Sequence, residues 1–212
     1  MNNRKIGSPT FTIVNHRLER PAARASSIAR AGVPDWLAGP GLRPEHLRWF
    51  RDEVIVEGER LKCRSRDGSS AEIGWESISA PRTGGHRPRF LHQGERGLFR
   101  SPARRCIRLV LRDGALPAIC RAAAEGIRPE TIYAGRPGEP TAPAIAALGT
   151  LLERRQILEA VLAFGDHAQG RRSLDVVQAM FTAVAPEVTV TVEAGLPWHV
   201  ELARSAQMEV AA

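Results

Sequence analysis

Residues 106–126 read CIRLVLRDGALPAICRAAAEG. The run holds three things in order: a short apolar segment, a polar turn at Arg112-Asp113-Gly114, and an alanine-rich stretch closed by Gly126. An apolar run of this length suits a buried strand, and helix formers ending at a glycine suit a helix over 115–125. The same unit recurs downstream. TIYA (131–134) is followed by AIAALGTLLERR (144–155), AVLAF (160–164) by SLDVVQAMFTAV (173–184), and VTVTV (188–192) comes last. In the second helix Ile145, Leu148, Leu151 and Leu152 share one apolar face. Strands alternating with helices of this length predict an α/β fold whose mostly parallel sheet is flanked by helices on both faces, with right-handed crossovers.

Upstream the pattern differs. Residues 1–21 are polar and mixed and read as an arm. A helix is expected over 22–31, ended by Gly32 and Pro34, and a second opens at Pro44 with Leu47 and Phe50 facing inward. From Val54 to Ile78 apolar and polar residues alternate around an Asp67-Gly68 turn, which predicts two or three antiparallel strands. Residues 80–105, rich in Gly, Pro and Arg, read as loop and short strand. The expected organisation is therefore an arm (1–21), a smaller basic α+β module with antiparallel strands (22–105), and the α/β unit (106–212).

The charge follows that division. Residues 1–105 hold 20 Lys and Arg against 11 Asp and Glu, and residues 106–212 hold 10 against 12, within a chain of net charge +7. A basic half argues for an anionic partner, nucleic acid first, because Arg and Lys neutralise phosphates and release counterions. An arginine-rich genome writing Arg on solvated surfaces explains the charge equally well, given 28 Arg against 2 Lys. Cys63, Cys106 and Cys120 are widely spaced, with no C-x-x-C, so no structural zinc is expected. Neither a signal peptide nor an apolar stretch of membrane-spanning length is seen, so a cytoplasmic location and no membrane partner are expected.

Open parallel sheets bind ligands outside the carboxyl ends of their strands. There the sequence places Asp113, then the segment from Gly135 to Glu139, then Asp166 and His167. Asp113, Asp166 and His167 form a candidate site for a divalent cation. Asp113 is read first as a helix N-cap or turn acid and only second as a metal ligand.

Five phrases in succession carry a resemblance. RLVLRDGALPAICRAAAEG (108–126) sets Asp113 where a family pattern has glutamate. ETIYAGRPGEPTAPAIAAL (130–148) is similar to that family's second phrase. FGDHAQG (164–170) sets Gly165 and His167 at two aspartates, and PWHVEL (197–202) keeps Trp198 and Leu202 of a closing D-W-N-x-x-L. Upstream, Trp75, Glu76, Gly94, Arg96, Gly97, Leu98 and Phe99 match a glycine-rich segment. Over about 36–202 the chain thus resembles the Toprim-like domains found behind a DUF3991 module in plasmid and mobile-element proteins, relatives of primase and topoisomerase Toprim domains.

The resemblance implies a Toprim-like fold and a role in DNA metabolism such as replication. It also implies that Asp113 is the remnant of a catalytic glutamate acting as general acid or base, beside aspartates that bind Mg²⁺. The departures weigh against the chemistry. Gly165 offers no ligand, and the imidazole of His167 suits softer metals than Mg²⁺. No cofactor is expected, with Mg²⁺ or Mn²⁺ entering only if the remnant site works.

The leading expectation is a non-catalytic accessory protein that binds nucleic acid, single-stranded DNA favoured, through phosphate contacts. The candidates are Arg82, Arg87, Arg89, Arg96, Arg100, Arg104 and Arg105, interleaved with Phe90 and Phe99. One alternative is a metal-dependent phosphoryl-transfer enzyme, a nuclease or primase relative, using Asp113, Asp166 and His167. Another is a scaffold that binds a replication or conjugation protein.

Overall fold

The computed structural model describes residues 32–81, 87–102, 106–136, 138–154 and 156–203. The arm over 1–21, the helix over 22–31, and Arg82, Arg104 and Arg105 lie outside the described residues.

Two short helices open the described chain, α1 (Asp35–Ala38) and α2 (Pro44–Trp49). Pro44 stands at the first helical position, where its missing N–H costs nothing, and the Arg43 amide donates to His46 Nδ1 at 3.1 Å. Leu37, Leu42, Leu47 and Phe50 are all buried beneath them. Strands β1 (Val54–Glu57), β2 (Arg60–Arg66), β3 (Glu72–Ser79) and β4 (Arg89–Gly94) then form an antiparallel sheet in chain order. The turn into β3 is held by Asp67, whose Oδ1 accepts from the amides of Ser69 and Ala71 at 2.9 Å. The alternation over 54–78 accounts for β1 to β3, and β4 falls in the stretch that reads as loop and short strand. It shows no alternation because most of its residues on both faces are exposed, and only pairing with β3 fixes it.

The second sheet has the order β5-β7-β6-β8-β9. Strands β6 (Arg108–Arg112), β7 (Thr131–Gly135), β8 (Glu159–Ala163) and β9 (Thr189–Val192) are parallel, and β5 (Phe99–Arg100) adds an antiparallel edge beside β7. Helices α3 (Ala115–Ala124), α4 (Ala142–Arg154) and α5 (Ala168–Val184) are the crossovers. The three inner strands are buried nearly throughout, as strands covered on both faces are. Their side chains divide by parity. Val110, Tyr133, Val161 and Ala163 pack with α3, with α1 and α2, and with the inner face of the antiparallel sheet. Leu109, Leu111, Ile132, Ala134, Ala160 and Leu162 pack with α4 and α5. Phe99 joins the halves, stacking on Phe50 with ring centroids 5.7 Å apart.

The connection after β6 runs to β7 on one side and the connection after β8 runs to β9 on the other, so the crevice lies at the carboxyl ends of β6 and β8. Close backbone contact seals the neighbouring ends: a Cβ on Gly135 would lie 2.2 Å from the Gly114 carbonyl oxygen, so no side chain fits there. Among the described residues no helix is long and apolar enough to cross a membrane.

Candidate functional site at the strand ends

Asp113 follows β6 and Gly165 to His167 follow β8, on the two sides of that crevice. The N-cap of α3 is Gly114, and the Asp113 carboxylate reaches across the sheet instead. Its Oδ2 accepts the Gly165 amide at 3.2 Å and stands 3.6 Å from His167 Nε2. The turn-acid reading of Asp113 is thereby replaced by a bridge between strand ends. His167 is itself the N-cap of α5, its Nδ1 accepting the Gly170 amide at 2.9 Å. A neutral imidazole that accepts at Nδ1 carries its proton on Nε2, and that N–H faces Asp113. Gly170 makes the cap possible, since a Cβ there would lie 1.9 Å from the Gly165 carbonyl oxygen.

Asp166 does not join them. Its side chain is 88% exposed and pairs with Arg171 Nη1 at 2.6 Å. The three residues proposed from sequence as a metal site are therefore one converging pair and one outlier. Mg²⁺ asks for oxygen ligands in octahedral array. Asp113 offers one carboxylate at the crevice, the nearby Glu76 carboxyl is buried and committed to the Ala115 amide, and Nε2 of His167 holds a proton as long as Nδ1 caps α5. Among the described residues no three His, Cys, Asp or Glu side chains surround one point. These residues do not fit Mg²⁺.

Four residues that the sequence did not single out for this crevice stand around it. Glu76 on β3 is buried, and its Oε2 accepts the Ala115 amide at the first turn of α3, at 3.3 Å. Burial pushes its carboxyl up to about 7, although the Ala115 hydrogen bond and the Arg96 charge oppose the rise. His92, paired with Glu76 across the sheet, has Nε2 4.0 Å from Glu76 Oε1; burial, then the nearby Arg96, lowers its pKa. Arg136, just after β7, is 1% exposed, and burial lowers its pKa against the pull of Asp113. Arg96, known from sequence as one arginine of a basic run and as part of the glycine-rich match, extends over the loop after β7, with Nη1 3.0 Å from where a Cβ on Gly138 would sit. Burial alternation along β3 carried a signal for Glu76, because Gly74, Glu76 and Ile78 share the inward side.

The remaining candidate arginines lie elsewhere. Arg87 and Arg89 are exposed at β4, and Arg100, half-buried, donates to Ser70 Oγ at 3.0 Å. Arg100 lines a separate cleft between the β2–β3 turn and α4, with Arg66 and Arg154. Phe90 is 49% exposed, whereas Phe99 is buried on Phe50 and cannot serve as a stacking surface. Trp198 packs edge-on to Trp36 with centroids 5.8 Å apart, a structural role.

The architecture has counterparts among solved structures. The primase fragment of the bacteriophage T7 primase-helicase protein superposes with a TM-score of 0.53 at 16% identity, over 84% of this chain and 75% of that one. The DnaG primase catalytic domain bound to ssDNA gives 0.52 at 16%, over 91% and 76%. The Aquifex aeolicus primase, with its zinc-binding and RNA polymerase domains, gives 0.52 at 12%, over 83% and 53%. The fold is Toprim-like. No protein-family model and no curated protein matches the chain, so the DUF3991 side of the resemblance gains no support there. The crevice of Asp113 and His167 lies outside the carboxyl ends of the strands, where open parallel sheets bind ligands, and among the described residues Arg96 and Arg136 stand around it as well as Asp113 and Glu76.

Proposed function

We propose that this chain is a Toprim-like protein of DNA metabolism that binds nucleic acid through phosphates and carries out neither strand cleavage nor primer synthesis. The observation that carries the reading is the commitment of Asp113 and His167 to each other and to the backbone. An acid so engaged, whose neighbour Glu76 is buried on the Ala115 amide, lacks the set of oxygen ligands that a Toprim metal needs.

The binding surface in this reading is the outer face of the antiparallel sheet. Strand register places Arg60, Lys62 and Arg64 of β2, Trp75 of β3, and Arg89 and Leu91 of β4 on that one face. Arg64 lies over the Trp75 ring at 5.0 Å, and Leu91 is 59% exposed. Cations that take phosphates beside flat or apolar surfaces that take bases suit a single strand with little sequence preference. Arg87, exposed just before β4, extends the surface. A solved neighbour, the DnaG catalytic domain, is bound to ssDNA, which favours the same partner class here.

The test is a titration of labelled single-stranded oligonucleotides at rising salt. Binding that weakens steeply with salt and differs little between sequences is expected; no binding at low salt refutes the reading. Mn²⁺-dependent nicking that vanishes in Asp113→Ala would instead establish the phosphoryl-transfer alternative, which the 3.6 Å approach of His167 to Asp113 keeps in view.

A further inference from the structure

Around Gly138 the crevice has donors that the fold does not use. The buried guanidinium of Arg136 lies 5.9 Å from the centroid of the Phe164 ring and donates from Nη1 to the Gly138 carbonyl at 2.9 Å. Its Nε and Nη2 are buried, and no acceptor meets them among the described residues. A native structure that buries a guanidinium with unmet donors calls for an explanation.

A second cation and an amide converge there from other elements. Arg96 Nη1 is 3.0 Å, and Gln169 Nε2 3.5 Å, from the position a Cβ on Gly138 would take. Gly138 has φ +71°, a conformation that favours glycine, and the missing side chain leaves both donors facing open backbone. Gln169 stands in the first turn of α5, at the positive end of a 17-residue helix. The neighbouring acids are already engaged. Asp113 holds the Gly165 amide, Glu76 holds the Ala115 amide, and Glu139 pairs with Arg172 at 3.5 Å.

The geometry points to a metal-independent phosphate site at Gly138, in which Arg96 and Gln169 contact the phosphate oxygens and buried Arg136 supplies positive charge from beneath. Donor side chains approaching from two different elements suit an anion with several oxygens. A charge set behind them in a low-dielectric wall raises the potential at the mouth. The site thus reverses the sign of the ligand that a Toprim crevice is expected to hold. The phosphate belongs to a strand terminus or to a free nucleotide; only the first source rests on the proposed function.

The full chain, in EDTA, is titrated with a short oligonucleotide bearing a 5′-phosphate, with the same oligonucleotide bearing a 5′-hydroxyl, and with ATP. A preference of roughly tenfold for the phosphorylated strand, lost in Arg96→Ala and in Gln169→Ala, supports the site and assigns it to strand ends. Equal binding of the two strands, with ATP binding in EDTA that both substitutions remove, supports it with a nucleotide as ligand. Equal strand binding without ATP binding, or ATP binding that needs Mg²⁺, overturns it while leaving the proposed function intact. If neither oligonucleotide binds, the proposed function fails and the ATP arm alone decides the site.

Discussion

Arg112 and Glu201 form a buried ion pair, Nη1 to Oε2 at 2.6 Å, that ties the helical turn at 198–203 to the end of β6. Both side chains are almost wholly inaccessible, Arg112 also donates from Nη2 to the Leu196 carbonyl, and Arg121 reaches Glu201 at 3.3 Å. Removing one partner of such a pair strands the other charge in the interior. Glu201→Gln is therefore expected to destabilise the protein by about 3–5 kcal/mol. The double substitution Arg112→Leu with Glu201→Leu should recover a substantial part of that loss, because no lone charge remains. Urea unfolding of the three variants checks both statements. A double variant no more stable than Glu201→Gln would show that the pair itself, and not the stranded charge, sets the cost.

Glu76 makes the fold sensitive to pH. Its carboxyl titrates near 7 in the folded protein against an ordinary value of 4.5, so between those values the folded state holds a proton that the unfolded chain has released. Stability from this group is full below about 4.5 and is lost as pH rises through 7. The total is about 3 kcal/mol. Glu76→Gln keeps an oxygen for the Ala115 amide and removes the titration. It should match wild type at pH 4.5 and exceed it at pH 8, as read from unfolding midpoints at the two values. Equal midpoint differences at both would refute the assignment.

Much of this architecture is legible in the chain before any coordinates. Apolar runs such as Leu109 to Leu111 and Ala160 to Phe164, alternating with helices, give the parallel sheet, because strands buried on both faces write themselves as continuous apolar residues. Strand β4 falls in the stretch that reads as loop and short strand, and its bounds are not legible for the opposite reason: Phe90 and Leu91 stay exposed, and neither face leaves a pattern. At the crevice, sequence order brings Asp113 and His167 to adjacent strand ends but says nothing of rotamers. The capping bond to Gly170 aims His167, and the pairing with Arg171 draws Asp166 away. Glu76 and His92 come from the other sheet and Arg96 from the segment after it, and Glu76 and Asp113 stand 37 residues apart in the chain. Only the packing of α3 under that sheet makes them neighbours of Asp113.

The misfit of the crevice to Mg²⁺ is reversible by design. Gly165→Asp with His167→Asp places carboxylates at the two positions where the resembled family has them, beside Asp113. Three clustered acids repel one another, so the double variant should be less stable than wild type without metal. Millimolar Mg²⁺ should then raise its melting temperature by several degrees and leave wild type unchanged, since a ligand bound only to the folded state stabilises it by mass action. Differential scanning fluorimetry with and without Mg²⁺ reads the outcome. A wild-type protein that responds as strongly as the variant would restore the metal site to consideration.

The outer sheet face makes a quantitative demand on nucleic-acid binding. Each Arg that neutralises a phosphate contributes about 0.7 to the slope of log affinity against log salt for a single strand. Arg89 is exposed on the free edge strand, and among the described residues a weak contact from Nε to Ser79 Oγ, at 3.4 Å, holds its head. Arg89→Ala should flatten the slope by about that amount and weaken binding alike for all sequences. Trp75→Ala should weaken binding while leaving the slope nearly unchanged, because it removes a stacking surface and no charge, although Arg64 then loses the ring beneath it. Arg171→Ala, on α5 and paired with Asp166, serves as the control and should alter neither quantity. Anisotropy titrations at four salt concentrations give slope and affinity together. An Arg89→Ala slope equal to wild type would remove this face from the binding surface.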